Sequence, residues 1–528
     1  MKRMALPIAA VLACFLAACS GSGSSVTPPP PSGNFSNASL SGQYAFSMSG
    51  RNGSTGGFVG RIGSFSADGN GHITSGLEDV LDLSSGQPAS TVTFSDGAYQ
   101  IQSNGRGVAT FNVTGGGTLQ ISLSLKSNTE GLLIQTDGVA SASGNFELQT
   151  PAKFSNNAML GKYVFDFSGI SFAGSPPSVV STVGEFAADG NGNVTSGTLD
   201  INDGSFNPSG AIGVSPSSYL LDTNGNGTNF GRGTMVLNGK TYAFFIVDNT
   251  RIKFLEEDAT GGSEGEAFAQ SGAIPVQNSD LKGSFVFLTG GAVAGGNFGP
   301  IARLGRMTAD GSGGVNTLVF DQNEDGNNTH VSANSGSSNA VYAIDTANAG
   351  SGRGTFSFHS SSLGDISYVF YFYSPTRAVI QDASLKVIAD GAMLAQASGP
   401  FTTSNVAGNF IFDWNGLQLV NPSPFDETFV GQAVQSGSGN NNLRGQADFA
   451  ELGLTVISTS GVTLNAAISG TLTMNGDGTQ DNTYKIAVGG SSPFTVNFKA
   501  YIADSSNILV ICYDGNRTTS GVQIQQTQ

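Results

Sequence analysis

The sequence predicts an all-β protein built as four tandem antiparallel eight-stranded meander barrels. A unit of roughly 120 residues recurs four times, and each copy is filled with short runs of alternating apolar and polar residues joined by brief turns. Past the first twenty residues no run has helical periodicity.

The chain opens with Lys2 and Arg3, followed by an apolar run from Met4 to Leu16. That run is too short to cross a hydrocarbon core of ~30 Å as a helix, so residues 1–18 read as a signal peptide. It ends in Leu16-Ala17-Ala18-Cys19, which resembles the lipobox of bacterial lipoproteins. The resemblance implies that Cys19 is acylated, becomes the first residue of the mature chain and ties it to a membrane. Each buried methylene of the acyl chains contributes roughly 0.8 kcal/mol. Residues 19–35 form a Ser/Gly/Pro linker, with Ser20-Gly21-Ser22-Gly23 leading to Pro28–Pro31. Ser20 directly after the modified position resembles the pattern of lipoproteins sorted to the outer membrane, so the expected location is the cell envelope, lipid-anchored at the outer membrane.

Repeats one to four are placed at 36–150, 151–273, 274–398 and 399–528. Each opens with glycine and alternating aromatics: Gly42-Gln43-Tyr44-Ala45-Phe46, Gly161-Lys162-Tyr163-Val164-Phe165, Gly283-Ser284-Phe285-Val286-Phe287 and Gly408-Asn409-Phe410-Ile411-Phe412. A second signature is the turn Asp68-Gly69-Asn70-Gly71, matched by Asp189-Gly190-Asn191-Gly192 and Asp310-Gly311-Ser312-Gly313, with Gly437-Ser438-Gly439 as the drifted fourth copy. A third is Arg-Gly, at Arg106-Gly107, Arg232-Gly233 and Arg353-Gly354, replaced in repeat four. Within repeat two, eight strand-like runs start near residues 161, 179, 193, 211, 229, 239, 251 and 264. Eight strands joined in order by short links favour a meander that closes into a barrel without free edges. The alternative, an immunoglobulin-like β-sandwich, needs a longer crossover. The Gly-x-aromatic opening resembles that of lipocalins and avidins, where a cation from the last strands packs on the aromatic. Arg251 and Arg377 are the residues that resemblance would assign in repeats two and three.

A net charge of −16 argues against nucleic-acid partners, which reward a basic face. Cys512 is the one thiol beyond the leader and Cys19, so an internal disulfide is excluded, and its apolar run predicts a buried small hydrophobe. Gly261-Gly262-Ser263-Glu264-Gly265 matches the nucleophile-elbow spacing but reads as a polar turn with no helix after it. His72, His330 and His359 fall at unrelated points of different repeats, so no catalytic residue is assigned and no enzyme activity is expected. Asp68-Gly69-Asn70-Gly71-His72 has the middle of an EF-hand loop without its ends. Asp321, Asn323 and Asp325 alternate before Gly326 and are the candidate Ca2+ ligands, although Ser332 stands where a bidentate glutamate belongs. Asp222-Thr223-Asn224-Gly225 is a lesser case, and no other cofactor is implied.

Strand six separates the repeats into two classes. In repeats one and four Leu119, Ile121 and Leu123, and Phe494, Val496 and Phe498, alternate with polar residues. In repeats two and three the runs 242–247 and 368–373 are apolar or aromatic on both faces, so their outward side must be covered. Packing of barrels two and three on each other would bury Phe245, Tyr371 and Tyr373; left open, the same rings are candidate ligand-binding residues that stack on sugars or a partner. The function expected is a non-enzymatic envelope or surface lipoprotein whose repeats form a scaffold for binding or adhesion. A lipocalin-like carrier of a small apolar ligand is the alternative, and an envelope hydrolase ranks last. The partners implied are the membrane, through the lipid, and a glycan, a small apolar ligand or an envelope protein.

Overall fold

The computed structural model describes residues 33–172, 177–204, 206–212, 217–258, 261–294, 299–334, 339–384, 386–419, 424–436, 442–453, 461–488 and 492–527. The expectations for the signal peptide, Cys19, most of the linker and the turn at 437–439 lie outside these residues.

Repeat one forms eight strands, Ser41–Asn52, Phe58–Asp68, His72–Asp82, Ser90–Ile101, Arg106–Val113, Thr118–Leu125, Glu130–Gln135 and Ala140–Leu148. Each pairs antiparallel with the next, and the eighth returns to the first, closing the barrel. Repeat four closes in the same way, from Gly408–Gln418 to Arg517–Gln525. This is the meander, not the sandwich. In repeats two and three the fourth strand is in two pieces, Asn207–Ala211 with Ser218–Leu221 and Asn327–Asn334 with Val341–Ile344. The first piece pairs with strand three and the second with strand five. Single bridges, Asn193 to Ser218 and Gly314 to Val341, tie the two ends.

The opening signature supplies the core. Tyr44 and Phe46, Tyr163 and Phe165, Phe285 and Phe287, and Phe410 and Phe412 point inward and are buried. Opposite the second aromatic stands a glycine each time: Gly63, Gly184, Gly305 and Gly431. A methyl group there would sit 2.1 to 2.7 Å from the ring, so the ring lies flat on bare backbone. Short 3-10 turns at Asn37–Ser39, Asn156–Met159 and Asn278–Asp280 precede strand one. The side-chain oxygens of Asn37, Asn156 and Asn278 accept from Ile101, Leu221 and Ile344 N–H, each at 2.8 Å. Strand one does not adjoin strand four, so each turn crosses and closes one barrel end.

Two local expectations are corrected. One short α-helix, Gly225–Phe230, occurs in repeat two, because Asn224 caps it by accepting from Asn226 N–H at 2.9 Å. Residues 261–265 lie inside the strand Gly261–Ala269 rather than in a turn, and Ser263 Oγ donates to Glu256 at 2.7 Å.

The four barrels are arranged as a closed ring. Outward residues of strands one and two of each repeat pack on strands six and seven of the next: Ala45 and Ile62 on Phe245 and Leu255, Val164 and Val183 on Val369 and Tyr371, Val286 and Leu304 on Tyr501 and Ile511. The ring closes where Ile411 and Val430 of repeat four pack on Leu132 and Ile134 of repeat one. A head-to-tail contact repeated with a closing rotation gives a ring rather than a filament.

The tails fasten this arrangement. Gln149 Nε2 donates to the Phe230 and Ile246 carbonyls, Gln270 to Ser351 and Phe372, Gln396 to Ile502, and Gln526 to Asn104 and Leu125. Each donor thus reaches the following repeat, with repeat four reaching repeat one. The next backbone N–H, at Thr150, Ser271, Ala397 and Thr527, adds a bond to the same neighbour.

Candidate binding site at the ring axis

The first strand of every repeat carries a second glycine eight residues after the first: Gly50, Gly169, Gly291 and Gly416. Strand eight answers with Gly144, Gly265, Gly391 and Gly521. Where these strands pair, a side chain has no room, because an added Cβ would meet the opposite carbonyl oxygen at 1.8 to 2.2 Å. All four first-strand glycines line one cavity of about 480 Å³, to which every repeat contributes. An adjoining cavity of about 500 Å³ shares Arg51, Gly291 and Asp426 with it and extends between repeats three and four.

The axial cavity has both apolar walls, such as Phe58, Ile170, Val179 and Ile388, and a strongly acidic polar side. Asp390, Asp413, Asp426 and Glu427 line it, with Arg51 as the one cation among its lining residues. Burial pushes Asp413 and Glu427 up to about 7 and Asp390 and Asp426 up to about 6. Burial likewise raises Glu264 to about 7, and it raises Asp166 strongly, with Asp390 beside it adding like charge. These carboxyls bridge repeats: Asp413 accepts from Ser143 Oγ at 3.0 Å, Glu264 bonds Ser47 and Ser49, and Asp390 bonds Asp166 and Ser168. Arg51 lies 3.6 Å from Asp426.

Outside the axis the interfaces are held by one recurring pair. Arg232 Nε and Nη2 grip Asp79 of repeat one at 2.7 and 3.0 Å. Arg353 grips Asp200 of repeat two at 2.8 and 2.9 Å. Arg106 reaches Asp448 of repeat four at 2.5 Å. These are the arginines of the Arg-Gly signature, and Asp79, Asp200, Asp321 and Asp448 occupy one position of strand three. Between repeats one and two, Lys253 is fully buried between Glu147 at 2.8 Å and Glu266 at 2.6 Å. Burial opposes charge on Glu266, but Arg251 and Lys253 outweigh it and hold its carboxyl at about 2.

The residues singled out from sequence are placed as follows. Phe245 and Tyr371 are fully buried, Phe245 against repeat one and Tyr371 against repeat two. The cover over Phe245 therefore comes from barrel one rather than barrel three, a correction to the expected pairing. Tyr371 donates its hydroxyl to Asp200 at 2.6 Å, and Tyr373 stacks on Phe268 at 4.7 Å. No open aromatic stripe is left at these three residues. Strand six of repeat one is covered too, with Ser122 and Ser124 buried, so polar outward residues do not mark a free face.

Asp321, Asn323 and Asp325 belong to a strand and hairpin, not a cation loop. Asp321 accepts from His330 Nδ1 at 2.8 Å and Tyr501 hydroxyl at 2.5 Å. Asn323 Nδ2 donates to the Cys512 and Arg517 carbonyls at 2.8 and 2.7 Å, and Asp325 sits in the tight turn with φ 50°. Among the described residues no three His, Cys, Asp or Glu side chains gather as a metal set. His72 and His359 each lie beside a local aspartate, Asp68 at 3.0 Å and Asp365 at 2.7 Å. Cys512 is buried, and burial pushes its thiol up.

Arg251 and Arg377 pack away from the opening aromatics of their repeats. Arg251 lies over Phe268 at 5.3 Å and pairs with Glu147 at 2.5 Å, while Tyr163 donates inside the barrel to Ala158 and Asn249 carbonyls. Arg377 is exposed beside Tyr373. The barrel interiors are filled rather than hollow, as at Trp414, whose ring contacts Phe412 at 4.0 Å and Phe498 at 4.6 Å. The mouth of barrel two keeps a cavity of about 200 Å³, below the roughly 300 Å³ at which small-molecule pockets begin.

No protein-family model matches the chain, and no curated protein matches it. Among solved structures, isotype 1 transferrin binding protein B from serogroup B Neisseria meningitidis is similar at 9% identity and TM-score 0.21, over 73% of this chain and 79% of that one. A mutant transferrin binding protein B from Haemophilus parasuis gives 10% and 0.20, over 77% and 83%. A protein of unknown function from Nostoc punctiforme gives 12% and 0.12, over 43% and 94%. Superpositions this loose carry no inference about what the chain binds.

Proposed function

We propose that this chain is a non-enzymatic, lipid-anchored protein of the cell envelope that binds a polar partner group in the axial cavity of a rigid ring of barrels. The observation that carries the reading is the convergence of all four repeats on one acidic cavity of about 480 Å³. Carboxyls and Ser and Asn side chains predominate among its polar lining groups, which suits a ligand rich in hydroxyl or amine donors, such as an envelope glycan. The carrier of an apolar ligand is disfavoured, because the barrel interiors are packed with aromatics. A hydrolase is disfavoured because the axial carboxyls are engaged by serines and by one another.

The test is a binding screen of glycans, polyamines and lipids on the chain and on Asp390→Asn and Asp413→Asn. A polar ligand bound by the parent and weakened at least tenfold in either variant supports the reading; silence across the screen ends it. The anchor is tested separately. Radiolabelled palmitate should enter the parent in bacterial cells and fail to enter Cys19→Ala, and equal labelling of both would remove the lipid.

A further inference from the structure

Three of the four interfaces place an arginine on the strand-three aspartate, and the fourth does not. At the repeat three to four interface the aspartate is Asp321, and the arginine position is Thr479. The equivalence is fixed by backbone: Asn475 N–H bonds the Thr479 carbonyl at 2.8 Å, as Gln102 does Arg106, Asp222 does Arg232 and Asp345 does Arg353. Strand six agrees, since Thr479 stands opposite Tyr501 as Arg353 stands opposite Tyr371. The short threonine leaves a cavity of about 260 Å³ lined by Asp321, His330, Asp477, Thr479 and Tyr501.

We propose that this cavity is a guanidinium site, in which a ligand's arginine-type head group takes the place that Arg232 and Arg353 fill in the sister interfaces. Asp321 forms its floor and is almost fully buried, as Asp79 and Asp200 are. Asp321 accepts from His330, at the position from which Thr91 bonds Asp79, and from Tyr501, at the position from which Tyr371 bonds Asp200, and the Tyr513 hydroxyl bonds it as well. One such donor coexists with a two-pronged arginine on each of Asp79 and Asp200, so a guanidinium on Asp321 shares the carboxylate with one donor and takes the place of the others. Where Asp222 and Asp345 bind the far nitrogen in the siblings, repeat four has Asn475, and the second acid of the lining is Asp477, exposed at the mouth and accepting from Thr479 N–H and Oγ at 3.0 and 2.8 Å. Lys499, the cation in the lining, is drawn away by its ion pair with Asp481. A planar fork is favoured over an ammonium because Arg232 and Arg353 each bind the equivalent aspartate with two prongs. The site is separate from the axial cavity, so its fate is independent of the proposal for that cavity.

The experiment titrates agmatine into the full chain by calorimetry, with putrescine as the ammonium control and a short arginine-containing peptide as a second arm. Saturable agmatine binding, at least tenfold weaker for putrescine and lost in Asp321→Asn and in Thr479→Arg, is expected. Thr479→Arg should fill the cavity from within and melt at or above the parent. Peptide binding as tight as agmatine identifies an exposed arginine of a partner as the source; agmatine alone identifies a small molecule. The proposal is overturned if agmatine does not bind the parent, if putrescine binds equally, if Thr479→Arg leaves binding intact, or if Thr479→Arg melts lower.

Discussion

Gly50, Gly169, Gly291 and Gly416 hold one position of the fold, and a methyl group on any of them would overlap a carbonyl oxygen of strand eight at 1.8 to 2.1 Å. Gly169→Ala should therefore cost more than about 3 kcal/mol, read as a fall in the urea midpoint, whereas an unchanged midpoint would show that strands one and eight are not so close. Titration at the axis gives a second residue-scale prediction. Asp413, Asp390, Asp426 and Glu427 hold protons in the folded protein up to about pH 6 to 7 and release them near 4 when unfolded. Between those limits the folded state binds more protons, so stability falls as pH rises from about 4.5 to 7.5. Asp413→Asn should flatten that slope and raise the melting temperature at pH 8; a slope as steep as the parent's would contradict it. Below about pH 4 the sign reverses, because backbone N–H groups hold Asp68 and Asp310, and the Asn193 side-chain amide together with backbone N–H groups holds Asp189, below the usual range. The turn aspartates were legible as turns from sequence. The axial carboxyls were not, since Asp390 lies on strand eight of repeat three, Asp413 on strand one of repeat four and Asp426 and Glu427 on strand two, with no shared motif to group them.

At the scale of elements, strands were legible and their neighbours were not. Alternation tells which way a side chain points but is silent about what covers the outward face, and Ser122 and Ser124 of repeat one are as covered as Phe245 of repeat two. The Arg-Gly signature was visible, yet its purpose depends on partners 153 residues away for both Arg232 and Arg353. Arg353→Ala leaves Asp200 buried without its cation and should cost about 3–5 kcal/mol in chemical unfolding. Pairing Arg353→Met with Asp200→Asn should recover most of that loss, because an empty interface is cheaper than an uncompensated buried charge. A double variant as unstable as the single one would mean that the pair is not the source of the effect. The helix Gly225–Phe230 was missed for a local reason: a side-chain cap at Asn224 fixes one turn that no hydrophobic period announces.

For the whole molecule, four units were readable from the glycine and aromatic spacing, but their closure into a ring was not. The glutamines that fasten it, Gln149, Gln270, Gln396 and Gln526, look like ordinary polar ends of strands until each is seen on the next repeat's carbonyls. Closure also explains why barrels suit this chain: eight paired strands leave no edge, so contacts between repeats are made by side chains, which the sequence can vary. The interface between repeats four and one decides the matter, since a string of beads would make the other three and lack this one. Ser141 and Thr428 hydroxyls meet there at 2.9 Å although 287 residues separate them. Cysteines at both positions, in a chain beginning at residue 33, should join under mild oxidation in the native protein but not in urea, giving a looped species that migrates faster on a non-reducing gel. Two thiols that stay free and react with alkylating agent in the native protein would show the ring to be open.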